Sequence, residues 1–341
     1  MMRLPYFRYV APRTVRETAD LLAANANDVM LMAGGTDVLP NMKRRQQVPG
    51  TLVGLRQVAE LKGITNGDGL RIGAGITLAE LVEQLKMSNR AYSALRQAAV
   101  QVATPHLRNV GTIGGNLCLD TRCNYYDQNY EWRKAVNFCM KKDGDTCWVA
   151  TSSPKCLAVS STDTAPALVA LGATVTLVSA EKTRKIALAD LYRNDGIHYL
   201  TRQPNEILTA IDVPRLDGWR STYWKLRRRG SFDFPVLSIA AAIKLAPDGA
   251  VETARIVLGS VASRPIDVPE AASSLVGWRL TDEAIARASA RAAVPARPMD
   301  NTDFTLAWRK RVTRDFVTYA LRELRGDDMT KLRRSVARQS L

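Results

Sequence analysis

Two short turns constrain this chain more than any other feature. Val29-Met-Leu-Met32, an apolar run of strand length, leads straight into Ala33-Gly-Gly-Thr-Asp37, and Gly111-Thr-Ile-Gly-Gly-Asn116 repeats the same chemistry further on. Adjacent glycines carry no Cβ, tolerate positive φ and let backbone N–H groups converge on an anion. A single turn of this kind is also what a tight strand–loop corner looks like. Two of them favour a phosphate-bearing ligand gripped from opposite sides. Neither matches G-x-G-x-x-G and neither carries the P-loop lysine, so a Rossmann or Walker site is not indicated.

The second constraint is the placement of sulfur. All five cysteines of the 341 residues fall between Cys118 and Cys156. No window approaches ~18 uninterrupted apolar residues, so no membrane span is expected. The first twenty residues lack the apolar core of a secretory signal, and a cytoplasmic location is the default expectation. An odd number of clustered thiols in a reducing compartment favours metal over disulfides. The spacing Cys123-x15-Cys139-x7-Cys147-x8-Cys156 offers four thiolates, which suit zinc or an iron–sulfur cluster. It contains no C-x2-C knuckle, so it selects neither. Five inert buried thiols are a third reading, which leaves their confinement unexplained. With only His106 and His198 in the chain, a His-rich metal site or a Ser-His-Asp hydrolase has little to work with.

The net charge of +15 suits nucleic acid, an acidic protein or an anionic cofactor. The basic residues are dispersed, in short clusters such as Lys43–Arg45, Arg227–Arg229 and Lys331–Arg334. No block interleaves them with aromatics as a single-strand binder does. Nucleic acid is therefore not expected, and a zinc-stabilised, basic nucleic-acid-binding protein stands as the alternative from a different class.

Along the chain, three sections and a tail are expected. Residues 1–57 read as a small α/β unit, with a helix opened by Thr14-x-x-Glu17 that buries Leu21 and Leu22, and strands at Val29–Met32 and Thr51–Leu55. Residues 58–217 open on a hairpin about Asn66-Gly-Asp-Gly69. A helix capped by Thr77-x-x-Glu80 follows, then a helix over Tyr92–Val102, strands at Ala173–Val178 and Lys185–Leu188, and one at Glu206–Val213. Residues 218–327 hold strands at Val236–Leu245 and Val251–Val261, a helix capped by Thr281, and a long helix whose face is Trp308, Val312, Phe316, Ala320 and Leu324. Residues 328–341 form a basic tail expected to fray.

These motifs have a family likeness. Ala33-Gly-Gly-Thr-Asp37, Arg108-Asn-Val-Gly-Thr-Ile-Gly-Gly-Asn116, and Tyr223-Trp-Lys-Leu-Arg-Arg-Arg229 followed by Phe232-Asp-Phe resemble the FAD-binding medium subunits of the molybdenum hydroxylases, the xanthine dehydrogenase family. The likeness runs from Phe7 to about Leu324. It implies an α+β chain: a two-part FAD-binding domain of the vanillyl-alcohol-oxidase (PCMH) type, then an α+β domain like the C-terminal domain of CO dehydrogenase flavoproteins. It implies that Leu31, Met32, Ala33, Gly34, Gly35, Thr36, Asp37 and Leu39 line the FAD pyrophosphate and ribityl chain through backbone donors. Thr112, Gly114, Gly115 and Asn116 would form the opposing loop. Asp163 would bond ribityl hydroxyls, and Lys225 would lie near the isoalloxazine, where a cation favours the anionic reduced flavin. Where many relatives continue the second turn with L-A-H-A, this chain has Leu117-Cys-Leu-Asp120.

Most such subunits pass almost directly from the second turn to the ribityl aspartate. Here an insertion at about 117–160 intervenes. Its cysteine spacing resembles the branch of 4-hydroxybenzoyl-CoA reductase beta subunits, which implies a 4Fe-4S cluster on Cys123, Cys139, Cys147 and Cys156, with Cys118 a small hydrophobe beside the turn. The same likeness implies a relay subunit. Electrons would pass from a ferredoxin or similar donor through the cluster and FAD to 2Fe-2S centres on a small partner and a molybdenum cofactor on a large one, in a dimer of heterotrimers. The substrate, 4-hydroxybenzoyl-CoA, would be reductively dehydroxylated on the partner, so no catalytic residue is expected here. The alternative within the class is the same relay in an aldehyde or N-heterocycle oxidising enzyme.

Overall fold

The computed structural model describes residues 3–25, 28–86 and 90–337. Three sheets follow one another along the chain. The first is parallel, with β1 (Arg8–Val10), β2 (Val29–Met32) and β3 (Thr51–Gly54) in the order β1-β3-β2. Parallel neighbours need a crossover; between β2 and β3 it runs through the helix Val38–Lys43, while the helix Val15–Ala24 carries the chain from β1 to β2 on the far side of β3. The Thr14 hydroxyl accepts from the Glu17 amide at the start of Val15–Ala24. The Glu17 carboxylate reaches back to the Arg13 amide. Leu22 is buried and Leu21 half-buried on this helix.

The second sheet is antiparallel. β4 (Ile64–Gly67), β5 (Gly69–Gly73), β6 (Thr174–Val178), β7 (Thr183–Ala187) and β8 (Ile207–Val213) pair in the order β4-β5-β8-β6-β7. β6 alternates half-buried and buried residues, as a strand with one face on a core does. That core gathers Leu78 and Leu81 from the helix Leu78–Gln84, Leu95 from Ser93–Val100, and Ile113 and Leu117 from Ile113–Leu117, which contains the second glycine pair. Thr77 and Glu80 form a reciprocal capping box at the start of Leu78–Gln84.

The third sheet is also antiparallel: β9 (Trp219–Leu226), β10 (Leu237–Leu245), β11 (Val251–Gly259) and β12 (Ile266–Asp267), in the order β12-β11-β10-β9. β10 is buried on both faces. Ile239, Ala241 and Ile243 meet Ile285, Phe316, Val317 and Leu321 of the helices Asp282–Ala293 and Leu306–Arg325. On its other face, Ala240 packs with Ala94, Ala98, Ala167, Ala170, Tyr223 and Val257. Small side chains let the helices Ser93–Val100 and Thr164–Ala170 sit close against the third sheet.

The expected fraying of the tail does not hold for Thr330–Ala337, which is helical. Met329 and Val336 are buried in the third core. Arg333 pairs with Glu323 at 2.5 Å and stacks over Trp224. A basic, weakly apolar segment is held by two anchors and one ion pair, which composition alone does not disclose. Residues 338–341 of that tail lie outside the described residues.

Candidate functional site: a cofactor cleft beside a thiol pocket

The first glycine turn and the Gly111–Asn116 segment face each other across a cleft of about 370 Å³. That lies within the usual range for small-molecule sites, ~300–1,000 Å³. The second segment is not the open turn expected: Gly114, Gly115 and Asn116 lie in the short helix Ile113–Leu117, capped by Thr112. Their amides are taken by the Ala74 carbonyl, the Thr112 hydroxyl and the Thr112 carbonyl, so this side offers no matching row of free donors. Leu31, Ala33, Gly34, Gly35, Thr36 and Asp37 line one side, Thr112, Gly114, Gly115 and Asn116 the other, and Asp163 closes the wall. Gly34 is required by packing. A Cβ there would stand 2.0 Å from the Val110 carbonyl oxygen, so the first turn rests backbone to backbone on the segment leading into the second. Gly35 adopts φ of 73°, a left-handed value that other residues reach only with strain. The amides of Gly34, Gly35, Thr36 and Asp37 have no acceptor among the described residues. Four unsatisfied donors in succession on a cleft wall fit an anionic group. Met32 and Leu39 are not on the wall; both lie beneath Gly35.

Side chains tie these turns to the rest of the site. The Asp37 carboxylate accepts from Asn41 at 3.0 Å and pairs with Arg122, at the start of the insertion. Asn116 Oδ1 accepts from Thr162 Oγ1 at 2.8 Å, Thr164 Oγ1 at 2.6 Å and the Thr164 amide at 3.1 Å. Asn116 therefore clamps the helix Ile113–Leu117 to the segment that carries Asp163. Asp163 accepts from Tyr223 Oη at 2.7 Å and Lys225 Nζ at 3.0 Å. Burial pushes the Asp163 carboxyl up and the Lys225 ammonium down, and their pairing offsets part of each shift. The Lys225 ammonium lies behind Asp163, donates also to the Gln101 carbonyl at 3.0 Å, and is not on the cleft wall. Its action on a ligand would run through Asp163.

The four inserted cysteines come together. Cys123, Cys139, Cys147 and Cys156 are all buried and line one void of about 10 Å³ with Tyr125, Tyr126, Met140, Lys141 and Trp148. All are free thiols, and Cys118 stands apart on the cleft wall. Cys123, Cys139 and Cys156 with Tyr126 and Ala158 form the core of the insertion, which has only one helix, Tyr130–Ala135. Burial pushes the Cys123 thiol up to about 12 and the Cys156 thiol up to about 11. Four soft donors with no carboxylate on the wall suit a thiolate-held metal. Among the described residues, no three His, Cys, Asp or Glu side chains stand at metal-holding spacing. The void admits about one water-sized probe, so the thiols must separate to take a group of several irons.

The model for the FAD-binding domain of molybdopterin dehydrogenases matches residues 5–216, and that for the CO dehydrogenase flavoprotein C-terminal domain matches residues 221–324. The chain belongs to this flavoprotein family. It is 34% identical over 79% of its length to the aldehyde oxidoreductase FAD-binding subunit PaoB of Escherichia coli K12, covering 86% of that protein. It is 29% identical over 86% of its length to the carbon monoxide dehydrogenase medium chain of Afipia carboxidovorans, covering 87% of it. Reconstituted CO dehydrogenase from Oligotropha carboxidovorans superposes with a TM-score of 0.77 at 26% identity, over 95% of this chain and 99% of that one.

Several wall residues of this flavoprotein escape sequence reasoning. Asp120, Tyr199, Arg202, Phe232 and Phe234 line the cleft; Phe232 and Phe234 stand in a stretch that carries the family likeness and Asp120 just after the second glycine pair, but no motif assigned any of the five a role. Tyr223 was legible only as a letter in a family stretch, and its hydroxyl is what holds Asp163. No helix among the described residues is long and apolar enough to cross a membrane.

Proposed function

We propose that this flavoprotein is the electron-relaying medium subunit of a molybdenum oxidoreductase, with FAD in the cleft and a 4Fe-4S cluster on Cys123, Cys139, Cys147 and Cys156. The observation that carries the reading is adjacency. The thiol void and the cleft share a wall, across which Lys141 Nζ and Asp120 Oδ1 stand 2.8 Å apart. FAD, when bound, supplies exchange between electron pairs and single electrons, and a thiolate-held cluster supplies single-electron steps.

The chain's own residues bind and orient. The Gly34–Asp37 amides meet the anionic part of the cofactor. Asp163, held by Tyr223 and Lys225, presents a carboxylate to its hydroxyls. Thr112 and Asn116 keep the helix Ile113–Leu117 in place. The names of the relatives, medium chain and FAD-binding subunit, support partners: a large molybdenum-cofactor subunit, a small 2Fe-2S subunit and a ferredoxin or similar protein exchanging electrons at the cluster.

For the reaction on the large partner, two readings differ. Similarity to an aldehyde oxidoreductase subunit, a carbon monoxide dehydrogenase chain and a nicotinate dehydrogenase subunit supports oxidation of an aldehyde or heterocycle. Reductive dehydroxylation of 4-hydroxybenzoyl-CoA is supported by the cysteine spacing alone. Anaerobic purification with its partners tests the whole. Flavin absorbance with iron and acid-labile sulfide in this chain is expected. Flavin with one zinc and no iron overturns the cluster, and colourless protein overturns the relay. Turnover of aldehydes against aromatic acyl-CoA by the complex separates the two reactions.

A further inference from the structure

The wall between the two compartments holds opposite charges, one on a residue of each side. Lys141 lines the thiol void and not the cleft; Asp120 lines the cleft and not the void. Both side chains are under a tenth exposed, 6% and 8%, and they pair at 2.8 Å. Lys141 Nζ also donates to Thr121 Oγ1 at 2.7 Å and the Gly196 carbonyl at 2.6 Å. It lies 4.9 Å from the Tyr126 ring centre and 5.5 Å from that of Tyr199. Tyr126, on the void wall, donates its hydroxyl to Asp120 Oδ2 at 3.2 Å. Tyr199 is on the cleft wall. The ammonium is thus fixed by three oxygens and flanked by two rings, one from each compartment.

We propose that Lys141 and Asp120 form an oriented ion pair that biases where an added electron rests between the two sites. This rests on the relay reading above. Lys141 lines the void with the four thiols and its charge acts on Cys156, so it stabilises an extra electron there. The negative end abuts the cleft, so it disfavours an extra electron on the flavin. Unlike a single charge, a pair placed in this way shifts the two sites in opposite directions. In surroundings of low dielectric constant such fixed charges act strongly. The expected bias is about tenfold in the distribution of one electron between the sites, ~59 mV for a one-electron couple.

The chemistry at the wall requires no bond change. A cluster held by the four thiolates and a flavin in the cleft would exchange one electron, lost by one and gained by the other, while Lys141 and Asp120 would keep their protonation states and their pairing. Both are positioning residues.

The test is a redox titration of the loaded complex, reading the cluster by electron paramagnetic resonance and the flavin by absorbance. Lys141→Met combined with Asp120→Asn removes both charges. The cluster potential is expected to fall and the flavin potential to rise. Asp120→Asn alone removes only the negative end, leaves Lys141 its two other acceptors, and is expected to raise both potentials, the flavin more. Lys141→Arg keeps the charge and is expected to leave both near wild type. These single variants decide the matter if the double variant does not fold. Shifts of the same sign in the double variant, or none in any variant, with iron and flavin contents retained, overturn the inference alone. Wild-type protein that holds flavin but no iron overturns the inference together with the relay reading.

Discussion

Replacing Lys225 with Met tests whether the aspartate facing the cleft depends on a buried counter-charge. The Lys225 side chain is 0% exposed, that of Asp163 3%, and they pair at 3.0 Å. Methionine keeps the apolar stem and removes the ammonium. Removing one partner of such a pair leaves an uncompensated charge, at a cost of about 3–5 kcal/mol. Two features reduce that figure. Tyr223 still donates to Asp163 at 2.7 Å, and the carboxyl can take a proton. With Lys225 present, burial already pushes this carboxyl up; without Lys225 it goes higher. A carboxyl raised in the folded state holds a proton that the unfolded chain releases above about pH 4. Its contribution to stability is therefore present below that value and is lost as pH rises towards the folded value. The variant is expected to lose about 3 kcal/mol at about pH 8 and clearly less at about pH 5. Urea unfolding of the apo chain, followed through tryptophan fluorescence, measures this, with Trp224 on the same strand as reporter. Adding Asp163→Asn is expected to recover much of the loss, since neither charge then remains. A deficit under about 1 kcal/mol that is equal at both pH values, or a double variant as weak as the sum of the singles, would refute the reasoning.

Further outcomes follow from other contacts. Gly34→Ala puts a Cβ against the Val110 carbonyl, so the turns must part; the flavin-to-protein ratio after purification is expected to collapse while the circular dichroism stays near wild type. Asn116→Leu strands the Thr162 and Thr164 donors, which costs about 1–3 kcal/mol and is expected to show as faster amide exchange over Thr162–Ala170. Because burial raises the Cys123 and Cys156 thiols, metal loading of the apo chain must displace protons; proton release in weakly buffered solution, and tighter binding as pH rises from about 6 to about 8, are the expected readouts. Truncation before Thr330 removes Val336 and the Arg333–Glu323 pair and is expected to lower Tm by several degrees, about 2–4 °C per kcal/mol lost.

What could be read from the sequence follows the range of the forces involved. Thr14, Thr77 and Thr281 signal helix starts through contacts within one turn, and all three hydroxyls cap as their spacing requires. The apolar run at Val29–Met32 and the hairpin about Gly67–Gly69 are likewise local. The first side of the cleft was legible because a glycine pair after a strand admits few alternatives; the second pair, read as a turn, lies in the short helix Ile113–Leu117. Gly34, though, turns out to serve close packing on Val110 more than ligand approach. The short strand β1 was missed: three residues with an exposed face carry no periodicity, and pairing with β3 alone makes them a strand. Lys225 was legible as a strand lysine of the family, but its place behind Asp163 depends on the packing of β9 against helices more than fifty residues away in sequence. The Lys141–Asp120 pair left no trace in the sequence, because opposite charges twenty-one residues apart in an irregular segment look like any solvated pair.

The two ends of the insertion are hydrogen-bonded to each other. The Arg122 amide donates to the Val159 carbonyl at 2.8 Å, and the Val159 amide donates back at 2.7 Å. The loop thus leaves and re-enters the flavin domain at a single doorway, one strand spacing wide. Such a doorway lets the segment differ in length without re-registering the surrounding sheets. What the segment cannot do is act as a bystander, because Arg122 at that threshold is also the partner of Asp37 in the first glycine turn. Whatever reshapes the thiol pocket bears on the first glycine turn through that guanidinium.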